Sequence, residues 1–325
     1  MTETDTEPAA EMLRRGDWGE RRIFFDWAIR QPTLIPMVAD ADGEVVGTGV
    51  GSVHGSVGWV GTIFVEPEQR RSGLGRALTR AVCDALEERG CQSLVLIASD
   101  MGQPLYAGEG FRILEHQIRF SIDGLPPDSS DRDPLVRAYR EEDFDAIVEL
   151  DRHATGEDRR PILTSLLNPA ATLVALRPDG SVAGYLARAP WRGGALIAPD
   201  PDPALRLLEA RRNSVGQSGK AGAGLLESNE IGRARLRAAG WLEERGGVRM
   251  IRGEPLEWHP EAIWGQFNGA LGQAGPIIRQ NAAASLSSAA RSTSGRYRSI
   301  RLDSSASTVS TRPSTRSVAT TRELV

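Results

Sequence analysis

The chain has 325 residues, room for two domains of ordinary size and a tail. Apolar residues make up 40 % and charged residues 25 %, the balance of a soluble globular protein. The net charge of −4 speaks against sequence-independent nucleic-acid binding, and no apolar run approaches the roughly 18 residues of a membrane span. The start, MTETDTEPAAEM, is acidic where a secretory leader is basic. With only Cys83 and Cys91 there is no disulfide framework, so the chain is expected to be cytoplasmic and the two thiols to be core fillers. No metal-ligand cluster is visible in the sequence.

Ala9–Arg15 and Arg21–Ile29 are predicted helices around Gly16-Asp17-Trp18-Gly19. Thr33–Ala39 and Glu44–Val50 are predicted strands joined by Asp40-Ala41-Asp42-Gly43, since Asp-Gly supplies the positive φ of a tight hairpin. Trp59–Val65 is a near-continuous apolar run, the mark of a central strand. Leu74, Leu78, Val82 and Leu86 fall at helical spacing over Leu74–Arg89, with Gly90 as C-cap. Ser93–Ala98 is another buried strand, Leu105-Tyr106 opens a helical turn, and a last strand lies near His116–Ile122. The chain reaches helix-like sequence almost at once, so the opening strand usual in an α/β domain is expected to be missing, leaving a sheet edge exposed.

Four segments follow from composition: a first domain over 1–125, a polar Pro-containing linker over 126–133, a second domain over 134–272, and a tail over 273–325. The tail is rich in Ser, Thr and Ala and has eight Arg against Asp303 and Glu323. It is too poor in large apolar residues to bury a core and is expected to be disordered.

The chemistry concentrates where Val65 ends a strand and Leu74 begins a helix. Gly73 and Gly75 let an anion approach backbone N–H groups that have no intrahelical partner, and the helix dipole favours negative charge there. Arg70, Arg71 and Arg76 add cations suited to phosphate oxygens. The local physics is that of a diphosphate cradle. There is no Gly-x-x-x-x-Gly-Lys-Ser/Thr, and the single lysine, Lys220, is far away. Gly47-Thr48-Gly49-Val50-Gly51 lacks the last glycine of the dinucleotide fingerprint and sits in a strand, so those glycines are read as structural.

Val65-x-Pro67-x-x-Arg70-x-x-Gly73-x-Gly75, between an apolar strand and a helix, resembles the acetyl-CoA signature of the GNAT family (the general-control-related N-acetyltransferases). Pro104-Leu105-Tyr106-x-x-x-Gly110-Phe111, after the strand Leu94–Ala98, is similar to the family's second element at the family's spacing. The resemblance covers about residues 10–120. It implies an α/β fold with a mixed, splayed sheet, with acetyl-CoA as co-substrate. It implies that backbone near Ile63 and Val65 holds the pantetheine arm, and that the stretch Arg70, Arg71, Ser72, Gly73, Leu74, Gly75 and Arg76 holds the pyrophosphate. Tyr106 matches the position that protonates the leaving thiolate. Ser99 either contacts the pantetheine or caps the following turn. No carboxylate lies on Trp59–Val65, so the general base is open between Glu66 at the strand's end and His54 on the loop before it, and positioning alone can supply much of the acceleration.

Residues 134–272 read as a degenerate copy. Leu135–Tyr139 is a strand, Phe144, Ile147, Val148 and Leu150 form a helix face, Asp179-Gly180 turns a hairpin, and Gly240-Trp241 echoes Gly110-Phe111. Ile197–Ala204 has neither glycine pair nor arginine and carries Asp200 and Asp202, so no second pyrophosphate site is expected. Asp151–Arg160 is read either as an acceptor-binding loop or as a helix–helix connection with surface ion pairs. Trp258 and Trp264 are read as core or interface residues. The expected activity is transfer of an acetyl group to a primary amine of a small molecule or peptide, without nucleic-acid or membrane partners. The competing expectation is a non-catalytic acyl-CoA sensor.

Overall fold

The computed structural model describes residues 1–126, 133–191, 193–266, 298–302 and 309–313. The first half runs α1 (Thr6–Arg15), α2 (Arg22–Ala28), β1 (Leu34–Ala41), β2 (Glu44–His54), β3 (Val57–Val65), α3 (Leu74–Glu87), β4 (Ser93–Ala98), α4 (Gln103–Ala107) and β5 (Arg112–Asp123). The β1–β2 turn has positive φ at Asp42 and Gly43, as an Asp-Gly hairpin requires. Helix α3 buries Leu74, Leu78, Val82 and Leu86 against β2. Glycine lets it come so close: a Cβ on Gly47, Gly49 or Gly51 would lie 2.8 Å from Leu78, 2.9 Å from Val82 or 3.2 Å from Leu86. Cys83 and Cys91 are both buried and unpaired, and burial pushes the Cys83 thiol up to about 12.

The second half repeats the order with β6 (Val136–Ala138), α5 (Phe144–Thr155), α6 (Arg160–Leu166), β7 (Thr172–Leu176), β8 (Val182–Arg188), β9 (Gly194–Ile197), α7 (Pro201–Ser214), β10 (Lys220–Leu226), α8 (Glu230–Ala238), β11 (Leu242–Gly253) and β12 (Ile263–Gly265). Two strands of the tail, β13 (Arg298–Leu302) and β14 (Val309–Pro313), complete the described elements.

The two halves do not keep their strands to themselves. The larger sheet has the order β10-β5-β11-β4-β3-β2-β1-β13-β14. Strand β11 of the second half lies between β4 and β5 of the first, antiparallel to both, while β5 lies between β11 and β10 of the second. The smaller sheet, β12-β9-β8-β7-β6, belongs to the second half alone. The boundary between 125 and 134 therefore divides the chain but not the larger sheet. One apolar cluster also spans both halves, with Trp191 packed on Trp27 at 4.5 Å and on Phe24 at 5.3 Å between ring centroids.

One expectation changes at the sheet edge. The outer edge of β1, expected to be exposed, pairs in parallel with β13 at Ala39–Ile300 and Asp40–Arg301. The expected disorder of 273–325 falls mostly outside the described residues; where that span is described it is the antiparallel strand pair β13 and β14. The linker expectation likewise falls largely outside them.

Candidate active site

Strands β3 and β4 are parallel and paired only over Val57–Ser93, Gly58–Leu94 and Trp59–Val95. Beyond Trp59 they part, so the backbone of Val60–Val65 on that side has no strand partner among the described residues. A bulge on β3 sharpens the divergence: register against β2 shifts between Thr48 and Val50, Thr62 takes φ +52°, and the Thr48 hydroxyl donates to the Thr62 carbonyl at 2.9 Å. Ile63 and Val65, the expected pantetheine contacts, lie half-buried along this gap.

The gap opens onto the expected cradle. After a 3-10 turn at Pro67–Gln69, Arg71 has φ +65° and Gly73 φ +90°, which curls the link into a concavity of the kind that binds anions. Ser72 ties it down by donating to the Gln69 carbonyl at 2.7 Å. Among the described residues no protein acceptor faces the N–H groups of Gly73, Gly75 and Arg76. A Cβ on Gly73 would meet nothing within 4 Å, so its face is open to a ligand. Arg70, Arg71, Ser72 and Gly73 are exposed, while Leu74 is buried and anchors the helix start. The arginines differ in their ties. Arg70 donates to the Val65 carbonyl at 3.2 Å and Arg76 pairs with Glu109 at 3.1 Å, whereas Arg71 has no such partner among the described residues. Arg71 is the cation most available to a phosphate.

Tyr106 stands on α4 across the gap, edge-on to Phe111 at 6.1 Å. Burial, with a smaller contribution from Cys83, pushes its hydroxyl up to about 12, so it stays protonated at neutral pH. Ser99 caps the turn: its hydroxyl accepts from the Gly102 amide at 3.3 Å. Neither carboxylate nor imidazole of the expected bases suits the task. Glu66, half-exposed, pairs with Arg15 at 2.6 Å. His54 is buried, its Nε2 lies 2.9 Å from the Ser52 hydroxyl, and burial, aided by Arg159, pulls it down to about 3.

The segment Asp151–Arg160 connects α5 to α6 and has surface ion pairs at Arg152–Glu149 and Arg160–Asp145, but its middle is not solvated. It turns back onto the first half and buries charge there. Arg159 donates to both carboxylate oxygens of Asp151 at 2.8 and 2.6 Å, and the Tyr185 hydroxyl donates to the same carboxylate. Glu157 and Arg249 are each 1 % exposed, 3.4 Å apart. The Arg249 guanidinium is sandwiched between Trp59 at 4.8 Å and Trp258 at 4.3 Å, and burial lowers it to about 10 despite Glu157. Burial raises the Glu157 carboxyl against the opposing pull of Arg159 and Arg249. Trp264 is core. Glu157 and Arg249 carry no sequence signal as a pair, because they come from separate segments.

A cleft of about 750 Å³, walled by Ser56, Gln92, Arg152, His153, Trp258 and His259, lies at the opposite end of β3 from the cradle. In the second half, the α7 start equivalent to the cradle carries Pro201 and Pro203, which remove N–H groups, beside Asp200 and Asp202.

Residues 3–111 match the acetyltransferase (GNAT) family, and residues 147–265 match an acetyltransferase (GNAT) domain. The chain belongs to the GNAT family and carries two of its domains in tandem. The chain is 28 % identical over 165 residues to YitH of Bacillus subtilis, an uncharacterised N-acetyltransferase, a match over 49 % of this chain and 57 % of YitH. It is 34 % identical over 67 residues to glucosamine 6-phosphate N-acetyltransferase of Trypanosoma brucei brucei, over 21 % of this chain and 46 % of that enzyme. The match thus spans about half the length of these curated relatives. A candidate acetyltransferase from Pyrococcus horikoshii has a similar fold, with a TM-score of 0.69 at 21 % identity over 84 % of this chain and 94 % of that one. So does a tandem GNAT protein from the clavulanic acid biosynthesis pathway, at 0.50 and 15 %, over 78 % and 98 % respectively. The N-acetyltransferase relatives support acyltransferase activity in general. Among the described residues no helix is long and apolar enough to cross a membrane.

Proposed function

We propose that the chain is an acetyl-CoA-dependent N-acetyltransferase of the cytoplasm, acting on a primary amine of a small molecule or a peptide. The observation that carries this is the continuity of the unpaired β3 edge with the α3 start. A linear, hydrogen-bonding arm can add to Val60–Val65 while its diphosphate meets the free N–H groups of Gly73, Gly75 and Arg76 and the side chain of Arg71. Acetyl-CoA supplies the activated acyl group as a thioester. The chain's own residues orient it, and Tyr106, a protonated phenol at neutral pH, donates to the departing sulfur. The second half has no such cradle and acts by walling the site.

Isothermal calorimetry with CoA tests the cradle. Arg71→Glu combined with Gly73→Glu puts two carboxylates where the diphosphate sits and should abolish binding; retained binding refutes it. The second reading, an acyl-CoA sensor, is separated by Tyr106→Phe. In an enzyme this variant keeps CoA affinity and loses thiol release by about 100- to 10,000-fold, whereas in a sensor the parent releases no thiol.

A further inference from the structure

We infer that Glu157, carried by the second half, takes the proton from the attacking amine in the site of the first half; this rests on the acetyl-CoA reading above. The gap between β3 and β4 has a closed end, and Trp59–Val95 is its last pair. From Val65 back to Trp59 is about 20 Å of strand, most of which an extended pantetheine arm spans, so the thioester lies towards that closed end. Neither β3 nor β4 carries a carboxylate. Glu157 is the carboxylate brought to this end from outside: it is bound to Arg249, which stacks on Trp59, and Arg249 is the Cα partner of Ile97 on the parting part of β4.

The cluster holds one Glu157 oxygen only loosely. Its Oε2 makes a long ion pair with Arg159 Nε at 3.9 Å and faces the Trp59 indole N–H, which has no closer partner among the described residues. The other buried groups are committed or unsuited. Asp151 already accepts from Arg159 and Tyr185. His54 is held neutral and is too weakly basic. Glu115 faces Arg249 across β5 and β11, one strand farther from the gap, and accepts from the His116 amide at 3.1 Å. A carboxylate with one loosely held oxygen, shielded from water and flanked by Arg249 and Arg159, remains ionisable while burial makes it more basic than a solvated one.

In the step, the ammonium R–NH₃⁺ gives one proton to Glu157 and its freed lone pair forms the N–C bond with the acetyl carbon. The C–S bond then breaks with its electrons going to sulfur. Sulfur takes a proton from Tyr106, which is restored by the second N–H proton. Glu157 returns its proton to solvent, leaving R–NH–acetyl and the free thiol.

The test uses the full chain and Glu157→Gln, which keeps shape and the bond to Arg249. CoA binding by calorimetry and the thermal melt are measured first, because wild-type protein that fails to bind CoA sinks the cofactor reading itself. Thiol release from acetyl-CoA is then followed from pH 4.5 to 8.5, with water as acceptor and with a panel of polyamines, amino sugars and α-amino acids. The expected wild-type rate climbs with pH through a midpoint above the ordinary carboxylate range. The expected variant binds CoA within twofold of wild type, loses at least 30-fold in rate and lacks the climb. A variant within threefold of wild type, a wild-type profile without the climb, or CoA binding with no thiol release above the uncatalysed rate overturns the inference. So does a loss confined to Glu115→Gln. If Glu157→Gln does not fold, Glu157→Asp replaces it: a retained climb with a tenfold loss supports the assignment, and an unchanged rate overturns it.

Discussion

Three glycines near the cradle look alike in sequence and should respond differently to the same methyl group. At Gly49 a Cβ would lie 2.9 Å from Val82 Cγ2 and 3.1 Å from Ile63 Cδ1, inside a packed helix–strand contact. Gly49→Ala should cost about 1–3 kcal/mol as overpacking. Gly73 has room around its Cβ but φ of +90°, so alanine pays about 1–2 kcal/mol of left-handed strain there, and its methyl stands in the open mouth of the cradle. Gly75 lies within α3 with ordinary contacts of 3.7 Å to Val65 and 3.8 Å to Leu105. Gly75→Ala should therefore stabilise the helix by about 0.5–1 kcal/mol. Chemical denaturation gives the three stabilities and calorimetry the three CoA affinities. The expected result separates the two measurements: Gly49→Ala loses stability with affinity near wild type, Gly73→Ala loses stability and at least tenfold in affinity, and Gly75→Ala gains stability with affinity held. If Gly73→Ala binds CoA as wild type does, the diphosphate does not use that amide. If Gly75→Ala is destabilised by about 1 kcal/mol or more, the packing around α3 is misjudged.

Arg249→Ala should cost about 3–5 kcal/mol, since it strands Glu157 and empties the space between two indoles, whereas Arg249→Met, which keeps the volume, should cost clearly less; urea melts of both compare them. Buried His54 contributes a pH slope: its folded value of about 3 lies below the unfolded value near 6.5, so the unfolded chain binds the extra proton and stability falls as pH drops from 6.5 towards 3. The raised Glu157 has the opposite sign, losing its contribution as pH rises through its folded value, so the His54 part is isolated by comparison with His54→Gln, whose stability between pH 7 and pH 5 should fall less than that of wild type. A chain ended after Gln266 uncovers the β1 edge at Ala39 and Asp40; it should melt lower, by about 1–2 kcal/mol at roughly 1 kcal/mol per net hydrogen bond, and should associate more at high concentration, as light scattering would show.

The backbone geometry of the candidate cradle was legible because everything it needs is contiguous. A strand, two glycines and a helix start within a dozen residues determine where free N–H groups point, whatever packs around them. The placement of Tyr106 on a short helix was legible for the same reason, as part of a turn held by its own neighbours. Strand exchange was not legible, because alternation along a strand states which side chains face a core and not which strand supplies the partner. Strand β11 shows the difference. Val248 and Met250 point into the core beneath α3, which puts Arg249 on the opposite face. Alternation fixes that face but not its environment, which is Trp59 and Trp258, from segments nearly two hundred residues apart in the chain. An arginine there costs several kcal/mol of desolvation unless something answers it, and what answers it is Glu157. The buried pair therefore exists only because the halves interleave, and the placing of a second-half carboxylate beside Trp59 of the first is a consequence of topology that neither half encodes alone.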